Sequence, residues 1–315
     1  MSLHSTRALY GIFAIAWLAL SIPGGKCEEL TSILNVWDGR QTASVGVVVE
    51  WKEAHEQPDI DWLRKHKDDP DISAIVKDGK LPVIKYEFRK RLLITDDFYR
   101  YHFKGEKPIE GIVEPQDADV AFDGSKRVVY AAAYKRGRGP AANIYGAKEP
   151  MPPNSTYLPV VLCARPFDTR LGGFAKNSIS ARESREAIHG VSCAVVQSRD
   201  PKSGTTYTAW LDSAHEFVPL RISRHNGEEQ AFQLDIEYDR AGGRNCPSGW
   251  RLVENKFGGA GRAITSAKVT AWKSNASLGA ADFRIDMPVG TAVSDFSGDN
   301  EQNYIIQPSP KESGR

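Results

Sequence analysis

Apolar and polar residues alternate with a period of two along most of this chain, the pattern of strands with one buried face. Val45, Val47, Val49 and Trp51 fall on one face, with Gly46, Val48 and Glu50 on the other. Ile84, Tyr86 and Phe88 alternate with Lys85, Glu87 and Arg89. Leu92 to Thr95 carries that run on, Asp96-Asp97 offers a turn, and Tyr99, Tyr101 and Phe103 resume the alternation. Asp123-Gly124, Ser203-Gly204 and Asn226-Gly227 are turn signals of the hairpin kind. Apolar runs flank them at Val128 to Tyr130, at Val191, Cys193 and Val195, at Tyr207 to Leu211, and at Leu220 and Ile222. Phe232, Leu234, Ile236 and Tyr238 alternate most cleanly, and Trp250 to Phe257, Ile264 to Trp272 and Phe283 to Met287 complete the series.

Helical spacing is confined to two places. Leu30, Ile33, Leu34 and Trp37 make one stripe over residues 28–40, with Gly39 as a natural stop. Residues 180–188 have a helical look, with Ser180 as N-cap and Glu183 at capping-box spacing. Residues 53–80 are polar and charged, contain Pro58 and Pro70, and read as an insertion holding a helical turn or two. Residues 135–153, rich in Gly and Pro, read as a loop. About ten to twelve strands with short turns and few helices predict a mainly β (α+β) fold. Its form is a single large curved antiparallel sheet, a half-barrel, with two or three helices covering the apolar face. A parallel nucleotide-binding sheet would need helix–strand alternation, which is absent.

The start of the chain changes the picture. Arg7 precedes an unbroken apolar run from Ala8 to Ile22, followed by Pro23, Gly24 and Gly25. A positive start, a short apolar middle and a small-residue zone make residues 1–27 a secretory signal peptide. The run is short of the roughly 20 residues a membrane span needs. The expectation is a periplasmic or secreted protein with one β-rich domain over residues 28–306 and a disordered tail at 307–315. Lys26 stands before Cys27 where a lipoprotein signal would place a small residue, which disfavours a lipid anchor at Cys27. Cleavage after Cys27 is an equal reading. In an oxidising compartment one disulfide is plausible, with Cys163–Cys193 the preferred pair.

Charge narrows the partners. The 315 residues carry 41 Lys+Arg against 40 Asp+Glu, so no basic surplus points to nucleic acid. Chemistry-bearing motifs are few. The run Phe257-Gly258-Gly259-Ala260-Gly261-Arg262 lies between strands, where no helix N-terminus could receive a phosphate. Arg136-Gly137-Arg138-Gly139 reads as a loop. No two histidines have helical metal spacing, and His215-Glu216 lacks an evident third ligand. No G-x-S-x-G occurs, and the paired carboxylates Asp68-Asp69 and Asp96-Asp97 sit at turns. Asn154-Ser155-Thr156 and Asn275-Ala276-Ser277 match the glycosylation pattern, which matters only in a eukaryotic secretory pathway. The expectation is a noncatalytic protein with no cofactor and no metal.

The aromatic strand positions then carry the functional clue. They form either a packed core face or a concave apolar face that helices only partly fill. On the second reading Val47, Val49, Trp51, Tyr86, Phe88, Phe232, Leu234 and Ile236 line the hollow.

One ordered set of motifs resembles a known family. His189-Gly190-Val191-Ser192-Cys193 matches a strand ending G-x-x-C/A, and Trp210-Leu211-Asp212 matches a strand ending W-x-D. Pro219-Leu220-Arg221 gives P-x-R, and Phe283 to Thr291 gives F-x-x-x-x-P-x-G-T. In this order the chain resembles the exported LolA/LolB-like superfamily of outer-membrane lipoprotein carriers, including the large forms of planctomycete-type bacteria. The resemblance implies a half-barrel with helices as a lid, and periplasmic binding of hydrophobic ligands or lipoprotein acyl chains by a monomer. Related folds also act as envelope sensors that hand a signal to a protein partner. The motifs consist of structural residues, and no ligand residue carries over from them.

Overall fold

The structure is a computed structural model. It describes residues 24–68, 74–75, 81–133, 139–146, 156–200, 203–240, 245–256, 261–298 and 300–308. The signal run, Arg136-Gly137-Arg138, most of the Phe257–Arg262 glycine run, Asn154 and Ser155 of the first sequon and most of the tail lie outside these residues.

Helix α1 (Gly24–Ala43) leads into β1 (Gly46–Pro58), and α2 (Ile60–Lys65) follows. Then come the long strands β2 (Val83–Thr95), β3 (Tyr99–Ile109), β4 (Ile112–Phe122), β5 (Lys126–Ala133) and β6 (Ala141–Gly146). Helix α3 (Leu158–Ala164) and two 3-10 turns, Thr169–Leu171 and Lys176–Ser178, cross to the second half. That half holds the short strands β7 (Ile179–Ala181) and β8 (Glu186–Ile188), then β9 (Val191–Arg199), β10 (Thr205–Asp212) and β11 (Val218–Asn226). It continues through β12 (Glu229–Tyr238), β13 (Pro247–Lys256), β14 (Gly261–Ser274), β15 (Ala292–Phe296) and β16 (Gln302–Ile305).

All of these strands belong to one open, curved sheet, ordered β16-β15-β6-β5-β4-β3-β2-β1-β14-β13-β12-β11-β10-β9-β7, with β8 beside β9. Neighbours run antiparallel except β15 and β6, which are parallel. Strand β1 is the seam. It pairs with β2 on one side and β14 on the other, joining the two halves of the chain into one surface. The expected turns do their work: Gly124 and Gly227 take φ of 87° and 63°, the left-handed values that Asp-Gly and Asn-Gly hairpins require.

The concave face is packed. Val47, Val49 and Trp51 meet Leu92, Ile94, Tyr99 and Tyr101 from one half and Ile222, Phe232, Leu234, Ile236 and Trp250 from the other. Helix α3 lies among them with every residue buried. Over it lies α1, whose Ile33 and Trp37 are fully buried. Trp37 stacks on Phe174, meets Phe167 edge-on and donates its Nε1–H to the Phe217 carbonyl at 3.1 Å. Arg165 ties this layer down, donating to the Ser44 carbonyl at 2.7 Å and pairing with Asp96.

Several expected boundaries change. The insertion cannot begin at 53, because β1 runs on to Pro58 and keeps Glu53 and His55 on the sheet. Strand β6 occupies the middle of the expected 135–153 loop. The segment expected as a helix over 180–188 holds the end of β7 and the whole of β8 instead, since pairing with β9 outweighs the local capping pattern. The expected strand at Phe283–Met287 does not form: Phe283 closes a 3-10 turn, Ala280–Phe283, where it is buried against Phe98, and residues 284–288 have no regular secondary structure. The family-like motifs prove architectural. Trp210 donates to Glu186 at 2.8 Å, buried Asp212 caps the following turn at Ala214, and the buried Thr291 hydroxyl donates to the Pro288 carbonyl.

Candidate functional site

Two features interrupt the apolar concave face. The first follows from the period of two in β1 and β2. After Val49 and Trp51 the next inward position of β1 is Glu53, and after Phe88 the next inward position of β2 is Lys90. Glu53 is fully buried and pairs with buried Lys90. Its other contacts are His55 Nε2 at 2.9 Å and the Trp51 Nε1–H, which donates to Glu53 Oε1 at 2.7 Å. His55 stacks on Tyr86 at 4.7 Å and meets Phe88 edge-on, while its Nδ1 lies 3.1 Å from the Thr265 hydroxyl. Lys90 Nζ sits 5.8 Å from the ring centres of both Phe88 and Tyr101. Burial alone would push the Glu53 carboxyl up; the Lys90 charge and the His55 and Lys90 contacts outweigh it and hold the carboxyl below its ordinary value. Burial lowers the Lys90 ammonium, with Glu53 opposing. Burial also raises Tyr86 to about 12, helped by Glu53 and Glu254. Buried ion groups of this kind seldom add net stability over an apolar replacement of the same size.

The second feature is a half-open groove of about 890 Å³ between the segment after α3 and the ends of β9 and β10. Phe174 and Tyr207 form its apolar wall, and the backbone at Gly172 and Gly173 lets the chain turn tightly beside it. Ser178, Ser198, Arg199 and Asp200 make its polar rim. Tyr207 packs edge-on against both Phe174 and Phe232, which links the groove to the concave face. Arg224 stands beside Tyr207 in the sheet register, its guanidinium 5.1 Å from the centre of the Phe232 ring.

The expected lining residues are brought onto one face. Val47, Val49, Trp51, Phe232, Leu234 and Ile236 are buried in the same core, and Phe88 and half-buried Tyr86 pack beside them around His55. None of the eight lines the groove, whose wall comes from the 169–178 segment, β9 and β10. Glu53, Lys90 and Arg224 went unread in the sequence because their charge masks their inward register. The signal that reveals them is the unbroken parity from Val47 through Glu53, and from Phe88 through Lys90 to Leu92.

The preferred disulfide does not form. Cys163 sits on α3, with its thiol donating to the Asn245 carbonyl at 2.6 Å. Cys193 points to the opposite face of β9, where it packs with Ile188 and Leu220. The pair would have to bridge through the sheet, and both thiols are unbridged. Burial, with neighbouring Cys246 adding to it, raises the Cys163 thiol to about 12. Among the described residues no group of three or more His, Cys, Asp and Glu could hold a metal, and no helix is long and apolar enough to cross a membrane.

No family model matches the chain, and no curated protein matches it. Among solved structures the chain is similar to a domain from Vibrio parahaemolyticus described as an outer membrane lipoprotein-sorting protein. The identity is 12%, with 81% of this chain and 96% of that chain covered and a TM-score of 0.46. It is also similar to a DUF1329 family protein from Desulfovibrio piger ATCC 29098, at 8% identity, 81% and 97% coverage and a TM-score of 0.41.

Proposed function

We propose that this is an exported, noncatalytic protein that takes up a hydrophobic or acyl-bearing ligand, in the manner of a lipoprotein carrier. The observation that carries this reading is the groove of about 890 Å³ walled by Phe174 and Tyr207, opening beside an apolar concave face. The mechanism is burial of methylenes at about 0.8 kcal/mol each. The groove receives the first part of a chain. Deeper entry requires the α1 and 156–178 layer to lift, because α3 now fills the centre of the concave face. The signal-like opening of the sequence supports a periplasmic site of action.

The test is native mass spectrometry of protein purified from its own envelope, followed by lipid extraction. A recurrent acyl-bearing adduct is the expected result, and a clean apo mass would overturn the reading. The filling of the concave face by α3 favours a second reading, an envelope sensor or interaction protein on the same fold. That reading gains if the apo mass is accompanied by co-purification of one stoichiometric envelope protein.

A further inference from the structure

The fold leaves a cation on the concave face unanswered. Arg224 of β11 stands between Tyr207 of β10 and Phe232 of β12, its register partners. Its Nε is buried without an acceptor, and no carboxylate among the described residues pairs with it. The acid next in the same row, Glu254, is engaged by Lys256 at 3.3 Å. The contrast with Lys90 is direct, because that buried ammonium has Glu53. Arg224 as a whole is half-buried, and a guanidinium keeps its charge, so the buried Nε–H without an acceptor leaves donor capacity on this face that an anion can take up. Arg199 and Asp200 at the rim of the groove carry opposite charges. Arg224 is not in the groove lining itself, but it stands beside the apolar wall through its register with Tyr207.

We infer that the groove and Arg224 together bind a single-tailed anionic amphiphile. The tail lies against Phe174 and Tyr207, and a carboxylate or phosphate head meets the Arg224 guanidinium. The planar fork of arginine matches either head in a bidentate manner. The cation–π contact with Phe232 holds the fork in place before the ligand arrives. This rests on the hydrophobic-ligand reading above and adds the class of head group to it.

The experiment measures binding of dodecanoate, dodecyl phosphate, methyl dodecanoate and inorganic phosphate to the full exported chain by calorimetric titration. Wild type should bind the two charged amphiphiles at least about tenfold more tightly than the ester, the worth of one charge-assisted hydrogen bond. Inorganic phosphate should not compete. Arg224→Gln should bring the charged amphiphiles down to the affinity of the ester and leave the ester unchanged, while Arg224→Lys keeps part of the preference. If Arg224→Gln fails to fold, the partial loss in Arg224→Lys carries the test by itself. A charge preference that survives in both variants overturns the inference, as does competition by inorganic phosphate equal to that of dodecyl phosphate. Equal binding of acid and ester by wild type overturns the head-group assignment and leaves the hydrophobic-ligand reading standing. Binding of neither overturns both.

Discussion

Replacing Glu53 by Gln isolates the charge of the buried cluster. Glutamine keeps an oxygen for the Trp51 Nε1–H, now at 2.7 Å, so packing and that hydrogen bond survive. What goes is the counter-charge of Lys90, whose side chain is only 7% exposed and cannot turn to water. Breaking a buried pair from one side costs about 3–5 kcal/mol. In a domain of this size that lowers the melting temperature on the order of 10 °C. Removing both charges together, in Glu53→Gln/Lys90→Met, should recover most of the loss, since a buried pair and an apolar replacement are close in free energy. Urea unfolding followed by tryptophan fluorescence, run on the wild type, both single variants and the double, reads the coupling directly. The pH dependence has a definite sign. The carboxyl of Glu53 is lowered in the folded state, so its contribution is complete above the ordinary carboxylate value. That contribution disappears as pH falls through the lowered value, and Glu53→Gln should flatten this acid limb. A loss below about 1 kcal/mol in Glu53→Gln, or a double variant as weak as the sum of the singles, would refute the reasoning.

Trp37→Ala removes the side chain that pins α1 to Phe167 and Phe174, fully buried and hydrogen-bonded to Phe217, and should cost about 3–5 kcal/mol in chemical denaturation. Gly105→Ala should destabilise strongly in the same assay, because a Cβ there runs into the Glu87 carbonyl and the Phe88 ring. Cys163, buried and with its thiol raised to about 12, should resist iodoacetamide in the native protein and label only after urea unfolding, as peptide mass mapping would show.

The strands were legible because one buried face forces period-two alternation, and where that rule held undisturbed the reading succeeded. Phe232, Leu234 and Ile236 fall inward as their spacing implies, and so do Val47, Val49 and Trp51. It failed where chemistry and position disagree. Glu53 continues the inward face of β1, yet its charge made residues 53–58 look like the start of a polar insertion. Ser180 and Glu183 carry a helix-start pattern, but pairing with β9 decides the conformation of that segment. The β1–β14 seam, which joins the two halves of the sheet, pairs residues far apart in the chain, and alternation fixes faces without fixing neighbours. For the same reason the groove and Arg224 could not be read from spacing. Tyr207, Arg224 and Phe232 come from three strands, and only the register puts the guanidinium on the ring and beside the apolar wall. The charged residues that break the apolar pattern on the inward face are therefore the positions where the fold departs from what packing alone would select. Such departures are where a site is to be sought.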